Sequence, residues 1–367
     1  MNTFRIKSAI FLLICLIFSC KKMEQTPEAV SVGNNSPKLP AKPYLYDTSN
    51  FNKTNERVTL GRVLFYDKTL SFNNSISCGS CHKQALGFAD NVRFHKGVYG
   101  NDLKRNTLSI SGNSNQLFWD GRSTSLTDLV LRPLANHDEM LQDLTTLPEK
   151  LKLISYYKKY FFDAYGDSTI TLKGVQESLA LFCEKLAPVS SKFDKEFLKA
   201  RGNIDKGFIG FTPEENKGLA LFFGKATCSN CHLSQTLNDI KLSDFYVPSV
   251  ENIGLEMEYR DNGMGDLKHN TALNGIFKAP NLKNIALTAP YMHDGRFQTL
   301  EEVINHYNNN IVKHPNLSNR LLMNTTNTIT RPIRLNLNEQ EVKALVAFLK
   351  TLTDEQLTHD NKFSDPF

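Results

Sequence analysis

Cys78-Gly79-Ser80-Cys81-His82 and Cys228-Ser229-Asn230-Cys231-His232 are two copies of one five-residue pattern. It is the pattern of c-type haem attachment. Two thiols at i and i+3 meet the two vinyl groups of one porphyrin, and the adjacent histidine turns its imidazole to the iron as proximal ligand. A single zinc site built from both cysteine pairs is the rival reading. The histidine after each second cysteine and the long separation between the pairs argue against it. The expectation is two covalently bound haem c groups, held by Cys78, Cys81, His82, Cys228, Cys231 and His232.

The surroundings of the two motifs repeat as well. Gly61-Arg62-Val63-Leu64-Phe65 precedes the first, and Gly218-Leu219-Ala220-Leu221-Phe222 the second. Downstream, Trp119-Asp120-Gly121-Arg122 echoes His293-Asp294-Gly295-Arg296. A leucine follows each of those glycines at the same distance, Leu126 and Leu300, and opens an apolar pattern. Each half therefore reads as helix, haem loop, excursion, tight turn, helix. The fold class is mainly α, two cytochrome c-like helical domains in tandem. Local signals agree. Thr212-Pro213-Glu214-Glu215 and Thr299 with Glu302 are helix starts of the capping-box type. Leu300, Val303, Ile304 and Tyr307 fall on one helical face. A last helix is expected from about Asn338 to Leu352. Segment 145–200 reads as further helix linking the halves, with a boundary in the glycine-rich 202–210 stretch.

Aligned on the shared Asp-Gly-Arg, the halves differ where chemistry would be decided. Tyr307 in the second half matches Pro133 in the first. A phenol oxygen is a known iron ligand and proline is not. The second haem should be closed by Tyr307 and the first left open. Tyr307 could instead be a plain core aromatic; His306 and Met292 are the neighbouring ligand candidates, His306 turned off the apolar face. An open haem needs an acid–base group, and Glu139 follows Pro133 closely. Taken alone, Glu139 reads as a surface residue, and His137 is a second candidate for its task. Trp119, the single tryptophan, is either core packing or a carrier of electrons between the cofactors.

The 367 residues carry 40% hydrophobic and 22% charged side chains, a globular composition with room for about two domains. The net charge of +5 is mild, several charges sit in the leader (Arg5, Lys7, Lys21, Lys22), and no basic block suggests nucleic acid. Residues 1–20 read as an export signal, with Ile10 to Phe18 too short an apolar run to span a bilayer comfortably. Ile17-Phe18-Ser19-Cys20 resembles a lipoprotein processing site, so a lipid anchor on Cys20 is expected; plain secretion is the alternative. Either way the mature chain belongs in the periplasm or cell envelope, touching membrane only through the lipid. Cys15 falls in the same leader, and Cys183 in an apolar stretch reads as a buried structural thiol. The organisation is signal peptide 1–20, flexible tether 21–45, an N-terminal haem domain 46–205 with the open site and a C-terminal haem domain 206–358 with the closed one.

With these residues in hand, the chain resembles the bacterial di-haem cytochrome c peroxidase family, which includes the MauG branch. The likeness runs from about Leu60 to Leu352 and is carried by both haem motifs, Phe118-Trp119-Asp120-Gly121-Arg122 and Thr288-Ala289-Pro290-Tyr291-Met292-His293. The resemblance implies that Trp119 is the inter-haem tryptophan, Glu139 the catalytic distal glutamate and Pro133 the distal-pocket proline. It also implies a calcium ion held by the Asn106 side chain and the carbonyls of Thr288 and Pro290. Two departures from the reductively activated members stand out. Tyr307 replaces a methionine, as in the MauG branch. Val98 stands where those members place a distal histidine, with His95 three residues away, so no histidine gate is expected. Leu129, where that branch's namesake has a pocket glutamine, separates the chain from a simple MauG assignment. The leading expectation is a peroxidase reducing hydrogen peroxide with electrons from a cytochrome c or cupredoxin; family members often pair as homodimers. The alternatives are a MauG-like oxidase of a protein or organic substrate, and a non-enzymatic di-haem electron carrier.

Overall fold

The computed structural model describes residues 36–112, 117–233, 249–323 and 331–367. The leader, with Cys15 and Cys20, and the first part of the tether lie outside them. The described chain is mainly helical, and none of its helices is long and apolar enough to cross a membrane.

The first half opens with α1 (Thr54–Tyr66), followed by the short attachment helix α2 (Cys78–Cys81) and, after an excursion, α3 (Leu126–Ala135). Then come α4 (Leu147–Lys152), α5 (Ser155–Tyr165), α6 (Leu172–Lys185) and α7 (Lys192–Lys199). The second half repeats the plan with α8 (Pro213–Phe223), α9 (Ser229–His232), α10 (Met264–Lys268), α11 (Leu300–Asn305) and α12 (Glu339–Lys350), and α13 (Glu355–His359) ends it. Two small antiparallel sheets decorate this half. Strand β1 (Val250–Asn252) pairs with β2 (Ile276–Lys278), Val250 opposite Lys278, and β3 (Leu322–Met323) pairs with β4 (Arg331–Pro332).

The duplication is physical. In both halves a glycine lets two helices cross almost in contact. A Cβ on Gly61 of α1 would lie 1.9 Å from the Ser178 carbonyl oxygen of α6. A Cβ on Gly218 of α8 would lie 1.9 Å from the Ala344 carbonyl oxygen of α12. Helix α6 is therefore the first half's counterpart of the last helix, a core element and not a link. The Asp-Gly-Arg turns repeat too. Leu117 bridges Ser123 and Tyr291 bridges Phe297, with positive φ at Phe118 and Gly121 in one turn and at Met292 and Gly295 in the other. The capping boxes at Thr212/Glu215 and Thr299/Glu302 form as the spacing predicts, and Asn338/Glu341 forms another at the start of α12.

Gly218→Ala is expected to force α8 and α12 apart. Over-packing of this kind costs about 1–3 kcal/mol. A thermal melt should show the midpoint falling by several degrees; an unchanged midpoint would mean the crossing adjusts freely.

Two apolar cores result. The first gathers side chains from Val58 to Leu186. The second runs from Phe193 to Leu352, so α7 packs with the second half, ahead of the glycine-rich 202–210 stretch. Cys183 is buried in the first core. The C-terminal tail crosses back. Leu357 and Phe363 join the first core. Tyr66 Oη donates to the Phe363 carbonyl (2.7 Å) and Arg62 Nε to that of Ser364 (2.6 Å). Gln84, two residues past the first attachment histidine, donates to the carbonyls of Leu357 and Asp360 (both 2.9 Å).

Candidate functional site

At the first attachment motif, Cys78 and Cys81 lie one helical turn apart on α2. His82 Nδ1 sits 3.0 Å from the Phe88 carbonyl, which places its proton on Nδ1 and leaves Nε2 as the free donor. Burial pulls this imidazole below its ordinary range, so it is neutral at neutral pH. The second motif matches. His232 Nδ1 sits 3.1 Å from the Pro280 carbonyl, and burial pulls the ring down to about 4. Two neutral imidazoles with Nε2 free, each beside two thiols, fit a covalently held haem apiece.

Glu139 belongs to the first site. Burial pushes the Cys78 thiol up to about 12, and the Glu139 charge adds to that rise and to the rise of Cys81. The carboxyl takes one hydrogen bond, and the backbone around it is pinned. Asn136 Nδ2 donates to Oε1 (2.7 Å), and the Val98 backbone N–H donates to the Glu139 carbonyl (2.8 Å). Asn101 Nδ2 donates to the neighbouring Asp138 carbonyl (3.1 Å), and only a glycine fits at 97, where a Cβ would lie 1.9 Å from that same oxygen. Burial raises the Glu139 carboxyl above its ordinary value, although the Asn136 bond and the Arg122 charge pull the other way. Pro133 lies inside α3, half-buried. Val98 is buried and engaged through its backbone. His95 Nδ1 is tied to Asp90; burial works to raise that carboxyl, but hydrogen bonds from His95 and Lys83 hold it at about 2. His137 is exposed, and its Nδ1 lies 3.4 Å from Asp138. Leu129 packs against the first core.

The second site is a large, mostly apolar cavity. Cys228, Cys231 and His232 line it together with Tyr307, Met292, His293 and Trp119. Tyr307 follows α11 in a π-helical turn, His306–Asn310, a geometry that re-aims side chains and recurs at functional sites. Tyr307 is half-buried, and its hydroxyl makes no hydrogen bond among the described residues. Burial pushes the phenol up, so a phenolate there requires a cation on its oxygen. His306, expected to turn away from the apolar face, is in fact buried, because the π turn carries it inward. Its Nε2 sits 2.9 Å from the Ile253 carbonyl.

Trp119 joins the halves. Its Nε1 donates to the Asn106 carbonyl (2.8 Å), its own carbonyl accepts from the Lys278 N–H (2.7 Å), and its ring meets His293 edge-on at 6.5 Å. Arg105 bonds Asp120 beside it (2.6 Å) and Asp261 of the second half (2.6 and 2.8 Å). Asn106, Thr288 and Pro290 all line the same cavity. Asn106 Nδ2 donates to the Val92 and Arg93 carbonyls, which leaves Oδ1 for another partner. The set suits a hard cation, but it contains no carboxylate. Among the described residues no group of three His, Cys, Asp or Glu side chains could hold a metal.

Asn136 and Lys278 were not singled out in the sequence. Asn136, three residues before Glu139, could have been; Lys278 gave no signal.

Fold and attachment residues together define a tandem c-type cytochrome. The chain belongs to the di-haem cytochrome c peroxidase family, whose members carry two haem c groups. The family so described matches residues 55–202. The methylamine utilization protein MauG of Methylorubrum extorquens is 33% identical over 82% of this chain and 79% of its own. The cytochrome c551 peroxidase of Nitrosomonas europaea is 32% identical over 81% and 80%. A crystal structure of a MauG-like protein associated with microbial copper homeostasis superposes with a TM-score of 0.72 at 28% identity, covering 94% of this chain and 99% of the other. Relatives thus include both peroxidases and MauG proteins, all of an oxidoreductase family.

Proposed function

We propose that the protein is a peroxidase that reduces hydrogen peroxide to two waters at the N-terminal haem. The two electrons come from a small donor, a cytochrome c or cupredoxin, through the C-terminal haem and past Trp119. The observation that carries this reading is the asymmetry of the sites. The second cavity is lined by Tyr307, whose phenol makes no hydrogen bond among the described residues. The first has Pro133 at the matching position of the repeat and a half-buried carboxyl, Glu139, near enough for its charge to act on the Cys78 and Cys81 thiols. When bound, haem iron supplies the electrons and the coordination position at which the O–O bond is reduced. The protein supplies the proton handling. Asn136 occupies Glu139 Oε1 and leaves Oε2 free to take a proton from one peroxide oxygen and return it to the other, so that the latter leaves as water. The raised carboxyl brings its pKa closer to the working pH, where proton transfer in both directions is fastest. Tyr307, as phenolate ligand, would favour oxidised iron in the second site.

A calcium ion on Asn106, Thr288 and Pro290, and an envelope location through a lipidated Cys20, are part of the same proposal. A second reading has specific support. Tyr307 follows the MauG pattern, and a MauG relative shares 33% identity. In that reading the electrons come from a protein or organic substrate.

The test is peroxide-driven oxidation of a reduced small cytochrome by the holoprotein, with its ferric spectrum recorded beforehand. Two cytochromes oxidised per peroxide and a high-spin ferric component are expected. A donor left reduced while a two-electron-oxidised protein persists would favour the oxidase. Wholly low-spin iron would leave only an electron carrier.

A further inference from the structure

Lys278 ends β2 at the wall of the second cavity. Its backbone is fixed from both sides, paired with Val250 across the sheet and bonded to the Trp119 carbonyl (2.7 Å). It is among the residues that line the same space as Cys228, Cys231 and His232. Among the described residues no carboxylate reaches its ammonium. The carboxylate that does line the cavity, Glu251, accepts from Ser249 Oγ (2.7 Å) and lies 3.7 Å from Arg320 Nε. Burial alone pulls the Lys278 ammonium down to about 8, with no charge opposing it. A cation left this way beside an apolar cavity is costly unless the missing partner arrives with the cavity's occupant. A haem brings two propionate carboxylates.

We propose that Lys278 is the counter-charge of the C-terminal haem, its ammonium pairing with a haem propionate beside Trp119. The assignment rests on the second cavity holding haem and adds a determinant of that haem's potential. A fixed positive charge favours the form with the extra electron, so Lys278 raises the potential that Tyr307 lowers. It acts as a positioning and tuning residue. It also sets a charged contact beside the aromatic side chain through which electrons would pass.

The experiment uses the holoprotein with Lys278→Met, Lys278→Gln and Lys278→Arg. Haem per chain is counted, and the midpoint potential of the low-spin haem is titrated without peroxide. A lower potential in the Met and Gln variants, with the Arg variant close to wild type, is the expected result. Loss of the C-terminal haem from Met and Gln while Arg retains it supports the same pairing. Full loading with an unchanged potential in Met and Gln overturns it. So does an Arg variant that shifts, or fails to load, as much as Met. A protein that passes this test yet turns over no peroxide refutes the peroxidase reading and leaves the Lys278 assignment standing.

Discussion

Glu139→Gln should lower peroxide turnover by about 10²- to 10⁴-fold, the usual contribution of a positioned acid–base group. The substitution keeps the shape of the side chain and its acceptor for Asn136 Nδ2. It removes only the ability to take up and release a proton. Stability should not suffer. Burial raises the folded-state pKa of Glu139, so the folded chain holds its proton to higher pH than the unfolded chain. Stability from this group is present at low pH and lost as pH rises through the folded pKa. At neutral pH the carboxylate is therefore a burden that the neutral glutamine lifts. The wild-type rate should rise with pH through a value above the ordinary glutamate range, and that limb should vanish in the variant. Steady-state rates against pH, with thermal melts of both proteins, check each part. Turnover within a few-fold of wild type would remove Glu139 from the chemistry.

Tyr307→Phe should change the C-terminal haem and little else. The phenol makes no hydrogen bond among the described residues, so deleting its oxygen leaves no partner orphaned and the fold close to neutral. If that oxygen binds iron, its loss takes away a hard anionic ligand. The ferric low-spin signal should be altered and the midpoint potential should rise, on the order of 100 mV given the span that axial ligands cover. His306 cannot step in, because its Nε2 is engaged by the Ile253 carbonyl. Met292 lines the same cavity and is the natural replacement. Electron paramagnetic resonance of the ferric protein and a redox titration read both effects. An unaltered spectrum would mean that another side chain closes the second haem.

What could be read in the sequence is what short stretches specify. The attachment motifs, the capping boxes at Thr212 and Thr299 and the repeated Asp-Gly-Arg turns all depend on residues a few positions apart. Their order revealed the duplicated plan. Tyr307 was reached by comparing one half with the other, and Glu139 from its place after Pro133; the Glu139 charge adds to the rise of the Cys78 thiol, and the charges of Cys228 and Cys231 add to that of the Tyr307 phenol. Longer-range facts had no such trace. The role of α6 depends on Gly61 meeting Ser178. The place of α7 depends on Phe193 and Phe197 entering the second core. Lys278 is informative only because, among the described residues, no carboxylate reaches it, an absence that no window of sequence displays. The π turn that buries His306 breaks the 3.6-residue period on which its outward position was argued.

The returning tail sets an order of events during synthesis. Leu357 and Phe363 lie C-terminal to every residue of the second core, yet they belong to the core around α1 and α6. The N-terminal unit thus stays unfinished until the segment after Leu352 has been made, while the C-terminal unit has its own core by Leu352. A fragment cut after the first unit would expose the apolar seat of those two side chains. The two haem units, alike in plan, are therefore not interchangeable as building blocks: the second can be imagined alone, whereas the first is completed only by its sibling's far end.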